Sequence, residues 1–262
     1  MSGPGPDGEV PGRPDAAAGP LVVIGDAFLD VDVEGEAERL CPDAPVPVVD
    51  VAAEHARPGG AGLAALLAAR EGADVVLITA IGDDPAGRRL CGLLSAEVEL
   101  VRLPLRGGTV RKTRVRAGGQ TLLRLDTGDG VAAPPAGRWD GGAGGHARTV
   151  EAVAAAGAVL VADYGRGVAA VARELLRGCA APVVWDPHPR GGRPPEGCAL
   201  ITPSEAEARR LCPGAFPGAD RAARAIREEL KAGAVAVTRG AAGASLALAD
   251  GTLLKIPAPV LA

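Results

Sequence analysis

Short, unbroken apolar runs recur along this chain, and most are followed by a stretch with helical spacing. The first, "LVVIGD" at 21–26, shows no polar alternation, which suits a strand covered on both faces. The runs "VVLITA" (75–80), "AVLVA" (158–162), "PVVWD" (182–186), 198–201 and "AVAVT" (234–238) are of the same kind. Helices are expected at 61–71, 83–96, 148–156, 168–177, 204–211 and 219–231, the second opened by an Asp cap with a Pro in its first turn. "SLALAD" and "GTLLKI" close the series as a hairpin. Strands alternating with helices predict an α/β fold with a mostly parallel sheet covered on both faces.

Two extended regions break this pattern because they are too polar for such a sheet. "VPVVDVAA" (46–53) carries Pro45 and Pro47, which favour an edge. "TVRKTRVRAGGQTLLRLD" (109–126) reads as a hairpin turning at Gly118 and Gly119. Pieces at about 31–51 and 109–126 are therefore expected to form a separate small β flap, or lid. Residues 127–147, rich in Gly, Pro and Ala, read as a loop or linker, and residues 1–20 as a disordered Pro/Gly tail. That leaves 21–262 as one domain.

Composition narrows the class. Apolar residues make up 47% of 262, enough for a real core, but aromatics only 2%, so Ala, Val and Leu must fill it. A net charge of −4 argues against a general nucleic-acid binder, although Arg111, Lys112, Arg114 and Arg116 form a local basic strand. Cysteines 41, 91, 179, 198 and 212 are odd in number and lack any C-x-x-C pair. They read as reduced thiols of a cytoplasmic protein. No apolar run approaches the roughly 18 residues of a membrane span, and the start has no apolar signal region.

Several polar residues and glycines fall just past the expected strands: Asp26 and Asp30, Gly82 and Asp83, Asp163, Asp186, Thr202, and Thr238, Arg239 and Gly240. Ligands of open α/β sheets bind outside the carboxyl ends of the strands. Any one of these residues reads as an ordinary polar loop residue; together at one sheet edge they point to a site. The chain has no G-x-G-x-x-G after its first strand, no G-x-x-x-x-G-K-[ST], no G-x-S-x-G and no metal-ligand cluster. A Rossmann dinucleotide site, a P-loop and a serine-hydrolase elbow are thereby excluded.

In order, "GDAFLD" (25–30), "CPDAPVPVV" (41–49), "RPGGAGLAA" (57–65), "QTLLRLD" (120–126), "DYGRG" (163–167), "WDP" (185–187), "ITPSEAE" (201–207) and "VTRGAAGASL" (237–246) resemble the PfkB/ribokinase carbohydrate kinases. Within them "APVPVV", "DYGRG" and the R-L-D hairpin end are most similar to the heptose-7-phosphate kinase type. The resemblance, over about residues 20–257, implies a ribokinase-like three-layer α/β/α sandwich with a β lid, and a homodimer formed by paired lids. It also implies ATP with Mg2+, phosphorylating a sugar or sugar-phosphate hydroxyl. By residue, it implies Asp30 as the sugar-hydroxyl carboxylate, Gly59 and Gly60 as a backbone that the sugar approaches, and Lys112 and Arg124 facing the substrate phosphate. Asp163, Asp186 and Glu207 would sit in the phosphate and metal region, and Ser204, Thr238, Arg239, Gly240 and Gly243 by the nucleotide. Without the resemblance, Lys112, Arg124 and Glu207 read equally well as solvated charges.

The pattern is broken at three points. Leu63 stands where the family's glycine-pair motif has a hydrogen-bonding Asn, and Ser204 replaces the Asn of an N-x-x-E. The D-x-x-G-A-G-D segment, with its anion-binding helix start and proton-accepting Asp, is absent from the sequence, which ends at "KIPAPVLA". The expectation is a C-terminally truncated kinase, and the alternative a catalytically inactive sugar- or nucleotide-binding homologue. His188, where the family usually has a Lys, is expected to be a surface histidine.

Overall fold

The computed structural model describes residues 19–133, 142–212 and 216–259, the side chains of 142–146 excepted. Most of the 1–20 tail and the middle of the 127–147 stretch lie outside these residues.

In chain order the elements are β1 (Leu21–Gly25), β2 (Ala27–Leu40), β3 (Pro47–Gly60), α1 (Ala61–Arg70), β4 (Val75–Ala80), α2 (Pro85–Leu94), β5 (Glu99–Leu103) and β6 (Leu105–Arg106). There follow β7 (Arg111–Ala117), β8 (Gln120–Thr127), β9 (Val131–Ala132), α3 (Gly142–Ala154), β10 (Ala158–Ala162), α4 (Val168–Leu175), β11 (Val183–Asp186) and β12 (Leu200–Ile201). The last are α5 (Glu205–Leu211), α6 (Ala219–Glu229), β13 (Ala234–Thr238), β14 (Ala244–Leu248) and β15 (Leu253–Ile256). Among these residues, no helix is long and apolar enough to cross a membrane.

The main sheet has nine strands in the order β15-β14-β13-β12-β11-β10-β1-β4-β5. All pairings from β13–β12 through to β4–β5 are parallel, and the β13–β14 and β14–β15 pairings are antiparallel. The expected α/β architecture is therefore present. Strand β1 lies centrally because Val22, Val23 and Ile24 are fully buried, with no polar side to offer water. One apolar cluster (Ile24, Val161, Trp185, Ile201, Ile226) fills one face, and another (Val23, Leu29, Leu77, Leu90, Leu94) fills the other. Trp185, fully buried, supplies volume that the aromatic-poor composition otherwise lacks.

The polar pieces form their own four-stranded sheet, β3-β2-β7-β8, with β3 at the edge as the prolines required. The hairpin turns at Gly118 and Gly119 as expected. Several expectations are corrected. The 127–147 stretch contains β9 and the start of α3, so the helix begins at 142 rather than 148. Strand β5, which the sequence reading left out, is the sheet edge; "ELVRL" is half exposed and alternates, so it lacks the unbroken apolar signature. Gly59 and Gly60 are the last two residues of β3.

Helix α2 and the start of the second sheet are fastened together. The Asp84 carboxylate accepts from Gly87 N (2.8 Å) as an N-cap and from Thr109 N (2.7 Å), while Gly82 N donates to Thr109 Oγ1 (3.0 Å). These bonds hold Asp84's pKa below the usual carboxylate value despite the opposing effect of burial. They fix where β7 leaves the main body.

Candidate active site

A cleft of about 200 Å3 opens where the second sheet meets the carboxyl ends of β1 and β10. Its apolar wall is Phe28 and Tyr164, packed edge to face with centroids 5.3 Å apart. Its polar lining carries Lys112 and Arg124 from the second sheet, Arg166 from the loop after β10, and His188 and Arg190 from the loop after β11. Asp26 and Asp126 are the carboxylates that line it.

Local backbone chemistry places these side chains. Asp26 Oδ2 accepts from Tyr164 N (2.9 Å) and Arg166 N (3.0 Å), and Oδ1 from Val168 N (3.2 Å). One buried carboxylate thus folds the "DYGRG" loop and presents Arg166. Arg124 is held by Asp126 through two bonds of 2.8 and 3.0 Å. Lys112 Nζ sits 3.8 Å from the centre of the Phe28 ring. Burial lowers its pKa, with the Asp30 and Asp126 charges acting the other way. Among the described residues, the Arg166 and Arg190 guanidinium groups make no ion pair. Four basic side chains, Lys112, Arg124, Arg166 and Arg190, line the cleft against two carboxylates, Asp26 and Asp126, so the surplus is positive and suits an anion.

His188 corrects the surface expectation: it is half-buried and faces the cleft. Its Nδ1 accepts from Arg190 N at 3.1 Å, and its ring lies 6.4 Å from that of Tyr164. Burial first, then the Arg190 cation, lowers its pKa. The loop after β11 wraps back over Gly165, where a Cβ would come 2.7 Å from His188 Nδ1.

The glycine pair and Asp30 lie beneath the cleft rather than on its lining. A Cβ on Gly59 would overlap the Phe28 ring and the Asp30 carboxylate, and one on Gly60, at φ +59°, would overlap Asp26 O and the same ring. These glycines let Phe28 lie flat on the end of β3 and so shape the wall. Asp30 is buried and takes Arg114 Nη1 at 2.8 Å; beside it Asp32 pairs with Arg57.

The remaining expected residues gather further along the sheet edge. Asp163 N donates to Asp186 O, and Asp186 Oδ1 accepts from Thr202 Oγ1 at 2.8 Å. Asp163 is buried, and its pKa is pushed up to about 6, by burial first and also by the nearby Asp26 and Asp186 charges. Among the described residues, its Oδ2, Arg173 Nη2 and Trp185 Nε1 are buried without a hydrogen-bond partner. Asp186 is raised too, by burial first and by the charge of Glu207. Ser204 and Glu207 form a reciprocal capping box at the start of α5. Ser204 bridges Thr238, Arg239 lies 3.9 Å from Glu205, and Gly240 and Gly243 bracket a tight turn. Two groups thus emerge: Lys112 and Arg124 in the cleft, and Ser204, Glu207, Thr238 and Arg239 around α5. Phe28, Tyr164, Arg166 and Arg190 were not singled out from sequence, although "DYGRG" carried two of them, and His188 was singled out only as a surface histidine.

Among the described residues no group of three or more His, Cys, Asp or Glu is arranged to hold a metal ion. Mg2+ commonly binds one or two carboxylates together with substrate phosphates. Asp186 and Glu207 fit that lesser demand, since each keeps one carboxylate oxygen outside the bonds just described.

No family model matches the chain. It is 47% identical over 246 residues to the bifunctional protein HldE of Streptomyces coelicolor, covering 92% of this chain and 50% of that protein. HldE of Azorhizobium caulinodans is 35% identical over 251 residues, covering 91% and 51%. The chain spans about half the length of these curated relatives. Among solved structures, Arabidopsis thaliana ribokinase complexed with ribose and ATP matches with a TM-score of 0.61 at 17% identity, over 92% of this chain and 78% of that one. Phosphofructokinase-2 from Escherichia coli in complex with fructose-6-phosphate matches with 0.67 at 16%, over 94% and 81%. At such identities these two speak for the fold alone. The chain thus has a ribokinase-like fold and is similar in sequence to about half of the HldE proteins it aligns to.

Proposed function

We propose that this chain is an ATP-dependent sugar-phosphate kinase unit, acting on a hydroxyl of a heptose 7-phosphate-like substrate. The observation that carries the reading is the convergence of Lys112, Arg124, Arg166 and Arg190 on a cleft with an aromatic wall. An aromatic face suits the apolar side of a sugar ring, and the cations suit its phosphate. Asp30, just beneath and paired with Arg114, takes a sugar hydroxyl, with Gly59 and Gly60 setting the floor. The α5 group (Ser204, Thr238, Arg239, Gly240 and Gly243) takes the nucleotide, and Asp163, Asp186 and Glu207 face its phosphates. Asp186 and Glu207 would hold Mg2+, and Mg-ATP supplies the transferred phosphoryl group. Such transfer depends mainly on positioning and charge neutralisation, the work these residues are placed to do.

The second sheet serves as the lid, closing on bound sugar to exclude water. Its outer side exposes Leu123, Leu125 and Val51, which supports pairing of two lids in a homodimer. A second reading, a sugar- or nucleotide-binding homologue without turnover, is favoured by Leu63, whose side chain offers no hydrogen bond.

The test is ADP release from Mg-ATP with D-glycero-D-manno-heptose 7-phosphate. Activity should appear with the sugar phosphate, and Arg124→Ala should raise KM about 10-fold or more, as expected for loss of a charge-assisted contact. Tight binding of the sugar phosphate with no ADP released would favour the second reading. Absence of binding of both the sugar phosphate and ATP would end both.

A further inference from the structure

His188 sits where the cleft adjoins a second, smaller pocket of about 150 Å3, which it lines with Glu207, Arg193 and Arg210. Its two ring nitrogens are in different circumstances. Nδ1 accepts the Arg190 backbone N–H at 3.1 Å and therefore carries no proton in that arrangement. The ring proton is then on Nε2, which has no hydrogen-bond partner among the described residues. The ring itself is confined between Tyr164 and the Cβ-free surface of Gly165. The surrounding cations are long, flexible charges; this imidazole is a short donor of fixed direction.

We propose that His188 is a specificity-determining residue, donating Nε2–H to an oxygen of the bound sugar phosphate. The inference rests on the sugar-phosphate reading of the cleft and adds a selective element to it. Lys112, Arg124, Arg166 and Arg190 attract any anion of suitable size. A single oriented N–H instead favours ligands that place an oxygen at one position and leaves itself unpaired with those that do not.

Three substitutions separate this role from simple support of the loop. In His188→Asn the amide oxygen overlays Nδ1 and can keep the Arg190 N–H, but nothing remains at the Nε2 position. In His188→Gln the longer amide reaches the Nε2 position and gives up the Nδ1 geometry. His188→Ala loses both. Binding of sedoheptulose 7-phosphate to the full chain is measured by calorimetry at constant pH, with melting temperatures recorded for each variant.

The donor role predicts that His188→Asn weakens binding about 10-fold, as His188→Ala does, while His188→Gln stays within about 3-fold of wild type. The chain has three histidines, so the Nε2 resonance of His188 is also resolvable by NMR and should shift on adding the sugar phosphate. The reverse ranking, with His188→Asn like wild type and His188→Gln weak, assigns the ring to loop support and overturns the proposal. If all three variants bind as wild type while Arg124→Ala loses binding, the cleft reading stands and the proposal falls. If wild-type protein binds neither sedoheptulose 7-phosphate nor fructose 6-phosphate, both are overturned.

Discussion

The two large sheets of this protein are held together by different physics. In the main sheet, Val22 pairs with Val159 on one side and Val76 on the other, and no charge interrupts the adjacent strands β10, β1 and β4. In the second sheet, Asp30 lies opposite Lys112, Asp32 opposite Arg114, and Lys112 opposite Asp126. Arg114 and Arg124 face each other as like charges, a cost that Asp30 and Asp126 offset. One sheet is built to be dry and permanent. The other is a charged surface attached at its base, suited to meeting an ionic ligand. The cleft forms where they join.

The largest expected effect tests the dry half. Trp185→Ala removes a fully buried indole between β10, β12 and α4. Losses of this kind are about 3–5 kcal/mol, so chemical denaturation should show a large drop in midpoint or an outright failure to fold. A drop below about 1 kcal/mol would mean the main sheet does not depend on its core as argued.

Next comes the buried carboxylate at the edge between the two. Asp163 has a folded pKa of about 6 against an ordinary 3.8, because burial disfavours its ionised form. A raised folded pKa means its favourable contribution is present below about pH 4 and is lost as pH rises through about 6. The shift of about two units corresponds to at most about 3 kcal/mol. Asp163→Asn retains an oxygen for Gly165 N, now 2.7 Å away, and carries no charge. It should melt higher than wild type at pH 7.5, and the two should converge near pH 4. An equal difference at both pH values would show that ionisation is not what this site costs.

How far the sequence disclosed this contrast follows from the same physics. Dry strands have unbroken apolar runs, so 75–80, 158–162 and 234–238 are legible to the residue. Strand β5 shows the limit: as an edge it needs only one apolar side, and its alternation resembles a loop. The helix α3 start was hidden because Gly and Ala at 142–145 carry no periodic signal. In the site, Lys112 and Arg124 were reached only through the resemblance, because a charge on a polar hairpin reads equally well as solvated. The glycine pair was read as ligand-facing because sequence does not reveal that Phe28 pairs with Gly59 across β2 and β3. His188 was missed for a similar reason: only the closure of its loop over Gly165 brings it into the cleft.

A smaller effect probes the attachment between the halves. Asp84→Ala removes the α2 cap and the bond to Thr109 N together, and a lost N-cap costs about 1–2 kcal/mol. If Asp84 also fixes the base of the second sheet, amide exchange in β7 and β8 should quicken more than in β1 and β4. Equal acceleration throughout would reduce Asp84 to an ordinary helix cap.

The smallest effect is expected on the ladder itself. Arg116 lies 3.4 Å from Glu34, and both side chains are well exposed, at 39% and 47%. Exposed pairs of this kind contribute about 0–1 kcal/mol, less as salt rises. Arg116→Ala should therefore leave the unfolding midpoint within about 0.5 kcal/mol of wild type. Arg116 is also outside the cleft lining, so sugar-phosphate affinity should not change, in contrast to Arg124→Ala on the neighbouring strand. A marked loss of stability in Arg116→Ala would mean the second sheet depends on its charges for folding, and the division between a dry scaffold and a charged ligand surface would fail at that point.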